Sequence, residues 1–400
     1  MKKIKWIRLS EIAELITKGT TPTTLGYKFQ DEGVKFLKIE SFDENGSFIE
    51  NKVAHISEEC HKKLKRSQLR TGDILFSIAG AIGRVAIVSE EMLPANTNQA
   101  LAIIRIVNEQ IYLPYIKLIL ASPVVTKQFE KKKQGVAQLN LSLKDINEIS
   151  IPLPEKERQM ELVELFDKIS SVILKQNMEL TALDTLIKAR FVEMFGDPVN
   201  NEKGFVKAPM GDYMTVLTDF SSNGSYKTLD NGVIMYDELN YAWMVRTTDL
   251  ESGDMASIKY IDESAYELLS KSKIFGGEII MNKIGSAGKI YLMPQTDMPA
   301  SLGRNAFMFR YDERINVKFL YYLLTSDYGQ NEIQQYVRGA VTKTITKSDA
   351  RSVRIIVPPI ELQNEFEAFA HQVNKSKVAV QKALDEAQLL FDSLMQEYFG

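Results

Sequence analysis

Apolar residues recur at alternating steps of four and three along residues 154–195, PEKERQMELVELFDKISSVILKQNMELTALDTLIKARFVEMF. The row is Leu162, Phe166, Ile169, Ile173, Leu180, Leu183, Ile187 and Met194, broken only by Gln176 and Arg190. Its spacing averages about 3.5 residues, the period that keeps one face of a helix turned toward a partner helix. One long helix is expected. The same row returns at the end of the chain as Phe366, Ala370, Val373, Val380, Leu384, Ala387, Phe391, Leu394 and Tyr398, with Lys377 its one charged member. Each position lies 204 residues beyond its counterpart, as Phe366 does beyond Leu162. A single seam of this kind is an ordinary amphipathic helix. Two in one register, each following a Pro-containing strand end (ISIPLP and RIIVPP), are expected to pair with each other as a coiled coil; the sequence does not fix their polarity, but the domain of roughly 150 residues between them allows an antiparallel pair with a pseudo-twofold relation between the halves.

Between these helices the pattern switches to short apolar runs. A short helix (LSEIAELI), a turn-rich loop (TKGTTPTTLGYK) and a strand (VKFLKI) open the chain. Three β-rich runs follow over residues 71–106, broken by Gly, Pro and Asn. One helix, LPYIKLILASPVVTKQFEKKK, then leads to a loop and the strand before the first long helix. The second half repeats this order. Residues 66–88 align without a gap on 271–293, with Gly72/Gly277, Gly80/Gly285 and Gly83/Gly288 in phase. Residues 134–159 match 338–363, keeping Asp145/Asp349, Glu157/Glu361 and Gln159/Gln363. A unit of about 200 residues is used twice, a tandem duplication rather than a solenoid. The expected fold is mixed α+β: globular domains over 1–153 and 197–357, long helices over 154–196 and 358–400. Framework is kept while loops differ: GTTPTTLGYK faces SSNGSYKTL, NTNQA faces LGRNA, and VAQLNLS faces AVTKTIT. This is what a scaffold presenting two different readers would look like, although neutral drift after duplication gives the same pattern.

Composition excludes more than it assigns. One cysteine, Cys60, forbids an internal disulfide, and His55, His61 and His371 are not grouped with cysteines at metal-ligand spacing, so no metal is expected. The start has no apolar core, and no run approaches the roughly 18 apolar residues of a membrane span, so a cytoplasmic, membrane-free protein is expected. The net charge of −3 hides a segregation. Residues 1–154 carry +5, whereas 155–195, 196–359 and 360–400 carry −2, −2 and −4. Basic residues bunch at 61–66 (HKKLKR), at 131–133 (KKK), and as Arg338, Lys343, Lys347, Arg351 and Arg354. Such bunches are either solvated faces or a phosphate footprint. IGSAGKI lacks the first glycine and the final Ser/Thr of a P-loop; it and AGAIGRV read as hairpin turns whose Lys289 and Arg84 could face a ligand. No GxSxG, HExxH or methyltransferase motif supports catalysis.

The doubled architecture, the early GTTP loop, the IPLP and IIVPP segments leading with E.Q into long helices, and the ARFVEMFGDP junction resemble the DNA-sequence specificity subunit of type I restriction–modification systems. The resemblance covers essentially the whole chain. It departs where the second half lacks a GTTP loop and where Glu155 stands at a usual proline. What it implies is a non-enzymatic chain whose two target-recognition domains each read part of a split double-stranded DNA site. The helix pair sets the gap, two methyltransferase subunits carry S-adenosylmethionine, and restriction subunits use ATP and Mg. No cofactor is expected on this chain itself.

Under that reading, loop Asn, Gln, Arg, Ser and Thr side chains supply base-edge contacts while Lys and Arg hold phosphates. The first-domain candidates are Thr20, Thr21, Lys38, Ser77, Arg84, Asn98, Gln99, Lys131, Lys132, Gln134, Gln138 and Asn140. Those of the second are Ser221, Asn223, Arg246, Lys283, Lys289, Arg304, Asn305, Arg338, Thr342 and Lys343. A coiled-coil scaffold with two protein-binding domains is the competing reading, favoured by the pI of 5.9, and a degenerate methyltransferase is a third.

Overall fold

The computed structural model describes residues 5–130 and 140–399. The chain forms two compact units, Met1–Met178 with Val380–Gly400, and Glu179–Ala379. Both long helices exist, Lys156–Phe195 and Ile360–Phe399, each of 40 residues. Each is divided between the units, so every unit holds one recognition domain and a part of both helices.

In the first unit an antiparallel sheet runs Leu15–Lys18, Leu101–Arg105, Ile74–Ser77, Val85–Ile87. A second sheet sets Val34–Leu37 between Ala54–Ile56, antiparallel to it, and Ala95–Thr97, parallel to it. Alternation decides which core each side chain joins. Ile74, Phe76, Ala102 and Ile104 face the helix Leu113–Leu120 and the long-helix residues Leu162, Phe166, Met395 and Phe399. Leu75, Leu101 and Ile103 face Leu37 and Phe42. The strands Trp6–Arg8 and Ser150–Pro152 close the domain antiparallel, Ile7 opposite Ile151.

The second unit repeats the sheet in the same order: Met214–Asp219, Ala306–Tyr311, Ile279–Asn282, Ile290–Leu292. Its second sheet gains a strand, running Lys259–Ile261, Ala242–Val245, Ala300–Leu302, Lys273–Ile274, again with one parallel pair, here in the middle. Val206–Pro209 pairs with Arg354–Val357 as the terminal ribbon.

The seam is as expected. In the first unit the beginning of the first helix meets the end of the second: Phe166 lies 5.2 Å from Phe391 and 5.6 Å from Phe399, ring centroid to centroid. In the other unit the end of the first meets the beginning of the second, Phe191 and Phe195 lying 5.3 and 5.6 Å from Phe366. The helices are therefore antiparallel. Arg190, which interrupts the apolar row, pairs with Glu365 at 2.9 Å, and Lys377 pairs with Asp184. The first helix ends where Gly196 turns left-handed (φ +71°) and Lys203 Nζ donates to the carbonyl of Met194 at 2.8 Å, satisfying an end carbonyl.

Gln159 and Gln363, kept in both halves, turn out to be clamps. Gln159 is buried, accepts from the Tyr112 N–H at 2.8 Å and donates to the carbonyls of Pro154 and Gln110 at 2.8 and 3.3 Å. Gln363 does the same to Asn316, Pro358 and Arg314, at 2.9, 2.7 and 3.1 Å. One amide thus ties the first turn of each long helix to its domain.

Two expected elements are corrected. The opening helix stops at Ile12, and Leu15–Lys18 is a strand, because Ile16 and Thr17 are better placed pairing with Ile104 and Ile103 than continuing a helix. The helix expected from Leu113 into the KKK run is two helices, Leu113–Leu120 and Pro123–Glu130. Pro123 disfavours helical backbone at Ser122 and starts the second helix instead.

Candidate nucleic-acid interface

Among the described residues, the loops that differ between the halves adjoin sheet strands: residues 19–28 follow Leu15–Lys18, and residues 98–100 link Ala95–Thr97 to Leu101–Arg105. In the first domain, Gly19 lets the strand end lie against residues 97–98: a β-carbon there would sit 1.8 Å from the carbonyl oxygen of Thr97. Thr20 and Thr21 are thereby brought beside Asn98 and Gln99. The Thr21 hydroxyl donates to Gln99 Oε1, and Asn98 Oδ1 accepts from the N–H of Ala100 at 3.0 Å. Ser77 is buried and donates to the Ala79 carbonyl at 3.0 Å, and exposed Asn140 bridges Ala79 through its backbone. Lys38 Nζ lies 4.2 Å from the centre of the Phe29 ring. Arg84 does not point at open solvent. It donates to the carbonyls of Phe42 and Ile39 at 3.0 and 3.3 Å and so fixes the segment that follows Lys38. Lys131, Lys132, Gln134 and Gln138 lie outside the described residues.

The second domain gathers several candidates around a group that sequence reading overlooked. Asp219 ends the edge strand of the sheet with its side chain only 7% exposed. It pairs with Lys283 Nζ and Lys347 Nζ, both at 2.8 Å, and accepts from the hydroxyls of Ser221 and Ser222 at 2.7 and 2.6 Å. Burial would raise its pKa. The hydrogen bonds from Lys283, Lys347, Ser222 and Ser221 outweigh burial and hold the carboxyl well below the usual carboxylate range. Lys283 in turn donates its N–H to the Asn305 carbonyl at 2.8 Å, and Asn305 itself is left-handed (φ +66°). The Lys343 carbonyl accepts from the Gly285 N–H at 2.9 Å, and Arg338 and Thr344, flanking Thr342, exchange backbone hydrogen bonds. Three loops are thus laced onto one carboxylate. Replacing Asp219 by Asn is expected to cost this unit about 2 kcal/mol at pH 7, the range of a lost hydrogen bond to a charged group, since both lysines are partly exposed. A depressed carboxyl stabilises the fold above the unfolded pKa of about 3.9 and loses that contribution as pH falls below it, so the difference from wild type should shrink by pH 3. Denaturant unfolding at the two pH values checks both signs.

The remaining candidates scatter. Asn223 is turned inward, donating to Ser272 Oγ and accepting from the Lys271 N–H, both at 2.8 Å. Arg246 grips Asp249, which is itself 3% exposed, and with Arg304 and Asn305 it lines a cavity of about 250 Å³ floored by Phe220 and Met244. Arg304 lies 4.9 Å from the Phe220 ring centre and pairs with Asp230. Lys289 pairs with Glu251, and Arg338 pairs with Asp349 at 2.8 Å. Pairs as exposed as those of Lys289, Arg304 and Arg338 are worth about 0–1 kcal/mol, so an incoming phosphate can take over the cation; the buried Asp219 node is a framework.

The family described as the type I restriction modification DNA specificity domain matches this chain twice, over residues 1–182 and 209–387. The chain belongs to that family. The chain is 32% identical over 170 residues to the specificity subunit of the type I restriction enzyme EcoBI from Escherichia coli, a match covering 41% of this chain and 35% of the relative. It thus spans about a third of that relative's length. A putative type I restriction enzyme MjaX specificity subunit from Methanocaldococcus jannaschii is 23% identical over 379 residues, 89% of this chain and 83% of the relative. Among solved structures, a chain described in work on complex assembly and conformational transition of the type I R–M system superposes with a TM-score of 0.62 at 18% identity, covering 98% and 96% of the two chains. The type I restriction–modification S subunit from M. genitalium gives 0.53 at 12% identity, covering 100% and 97%. These two share the fold of this chain. Among its described residues no helix is long and apolar enough to cross a membrane.

Proposed function

We propose that this chain is the non-catalytic reader of a type I restriction–modification complex, with one half of a split duplex site read by each recognition domain. The supporting observation is the doubled framework with unlike loops, in a chain whose two halves both match a DNA specificity domain. The sheets, terminal ribbons and glutamine clamps repeat, while the loop chemistry does not: Thr20, Thr21, Asn98 and Gln99 cluster in one domain, the Asp219 node in the other. The domains correspond to residues 1–153 and 197–357 and the helices to 154–196 and 358–400. Two methyltransferase subunits, which carry S-adenosylmethionine, dock on the chain, and restriction subunits supply ATP- and Mg-dependent cleavage in the cytoplasm. The chain itself holds none of these cofactors.

The test is a domain exchange. Replacing residues 1–150 with the corresponding domain of another family member is expected to change one half of the methylated motif, leaving the other half and the gap intact in a genome-wide map of methylated adenine. Both halves changing together would sink the modular reading. Disappearance of a split motif on deleting the gene is the companion result; absence of salt-dependent duplex binding would instead favour a protein-binding scaffold.

A further inference from the structure

Beside the edge strand Leu15–Lys18 of the first domain lies a cleft of about 230 Å³ whose lining includes Thr17, Lys65, Arg66, Gln68, Arg70 and Arg105. Arg105 is its built floor. The side chain is 12% exposed and is held in a two-point grip by Asp73, with Nε to Oδ1 and Nη2 to Oδ2 both at 2.7 Å. Asp73, 1% exposed, also accepts from the Arg70 N–H at 2.8 Å, which fixes the backbone from which Arg70 projects. Arg66 Nη2 reaches over the cleft to the buried Thr17 hydroxyl at 3.3 Å. The acids that act on Arg105 are Asp73, which grips it, and Glu14, at longer range. Among the described residues, Lys65, Arg66 and Arg70 form no ion pair; all three are exposed.

The repeat provides an internal control. The Arg105–Asp73 grip recurs in the second domain as Arg310–Glu278, at 3.0 Å. Of the three cations around it, one recurs, as Lys271; the other two do not. In the gapless alignment Lys65 becomes Ser270, Arg66 becomes Lys271 and Arg70 becomes Phe275, whose ring centre lies 4.7 Å from the Arg310 guanidinium. Lys273, in the place of Gln68, is paired with Glu267 at 2.7 Å. The grip therefore serves the fold in both domains, whereas the uncompensated triad belongs to the first alone, the segment whose net charge is positive.

We propose that this cleft is a DNA-backbone site: Lys65, Arg66 and Arg70 hold phosphates of the duplex flanking the first half-site, anchoring the first domain without reading bases. The proposal rests on the DNA-reading function. Guanidinium groups fork onto phosphate oxygens, the Arg105–Asp73 grip preorganises the floor, and the strand bordering the cleft runs directly into Thr20 and Thr21. A phosphate held there fixes the register in which those loops meet the base edges.

The test uses the chain assembled with its methyltransferase partner, a duplex carrying the methylated split site, and a random-sequence duplex of equal length. Each phosphate contact contributes about −0.9 to the slope of log K against log salt. The triple variant K65Q/R66Q/R70Q is expected to make that slope less negative by about 2 to 3 on both duplexes, with the methylated motif unchanged. The double variant K65Q/R70Q, which keeps the Arg66–Thr17 contact, should lose about 2; thermal unfolding of both variants confirms that they fold. A wild-type slope in the folded variants would overturn the cleft as a phosphate site while leaving DNA reading in place. A relaxed or altered base in the motif would overturn it differently, by making the cleft a base reader. No salt-dependent duplex binding by the wild-type complex would overturn the DNA-reading function, and the proposal with it.

Discussion

Phe366→Ala is expected to lower the unfolding free energy of the second unit by about 3–5 kcal/mol, the usual cost of removing a fully buried aromatic ring. Phe366 is 0% exposed and sits at the centre of a ring cluster, 5.3 Å from Phe191, 5.6 Å from Phe195 and 5.4 Å from Tyr322. Those rings come from the end of one long helix, the beginning of the other and the domain helix Val317–Thr325. No one of these elements can close the gap alone, since each is held elsewhere: the second long helix by the Gln363 clamp, the domain helix by the sheet core. The repeat places its bulk differently in the first unit, where Leu162 and Phe166 stand at the positions of Phe366 and Ala370. Phe366→Leu should therefore cost much less than Phe366→Ala, being near the size accommodated at Leu162. Denaturant unfolding of both variants is the measurement. A loss below about 1 kcal/mol for the alanine would mean that the helix end is not docked on the domain.

Insertion of one heptad into residues 160–190 together with one into residues 364–394 is expected to lengthen the gap of the recognised site by about three base pairs. Seven helical residues add roughly 10 Å at 1.5 Å each, and a duplex turn of about 34–36 Å holds about 10 base pairs. Both insertions must be made together, and as whole heptads, because the seam repeats every seven residues: a shift of three or four in one helix alone would set Phe166 or Phe366 against the wrong partner. Mapping methylated adenines in cells carrying the doubly lengthened chain reads the gap directly. A motif with unchanged spacing would show that the helix pair is no ruler.

Much of this architecture was legible from periodicity. A row of apolar residues at a 3.5 step survives any change of surroundings, because it reports only which side of a helix is dry, and a repeat at 204 shows the duplication without reference to contacts. The helix pair and the repeated domain followed from those two facts; the antiparallel sense did not, and is read from Phe166 meeting Phe391 and Phe191 meeting Phe366. Shorter elements were less secure: Leu15–Lys18 contains no signal that decides strand over helix, and its partner Leu101–Arg105 is far away in sequence.

The candidate interface divides along the same line. Residue type and loop position were enough to nominate Thr21, Asn98, Gln99, Lys283 and Asn305, and the repeat kept Gln159 and Gln363 in view without saying why. What a charged side chain does depends on which neighbour folding brings to it, and that information is tertiary. Arg84 spends its guanidinium on two carbonyls, Lys283 and Lys347 converge on Asp219, and Arg70 shares a cleft with Arg105 while its counterpart Phe275 lies against Arg310. The sequence by itself determined the seam, the duplication and the loops that differ. Only the tertiary structure decided which cations are bound within the protein and which stay open, because ion pairing depends on distances of a few ångströms between residues far apart in the chain.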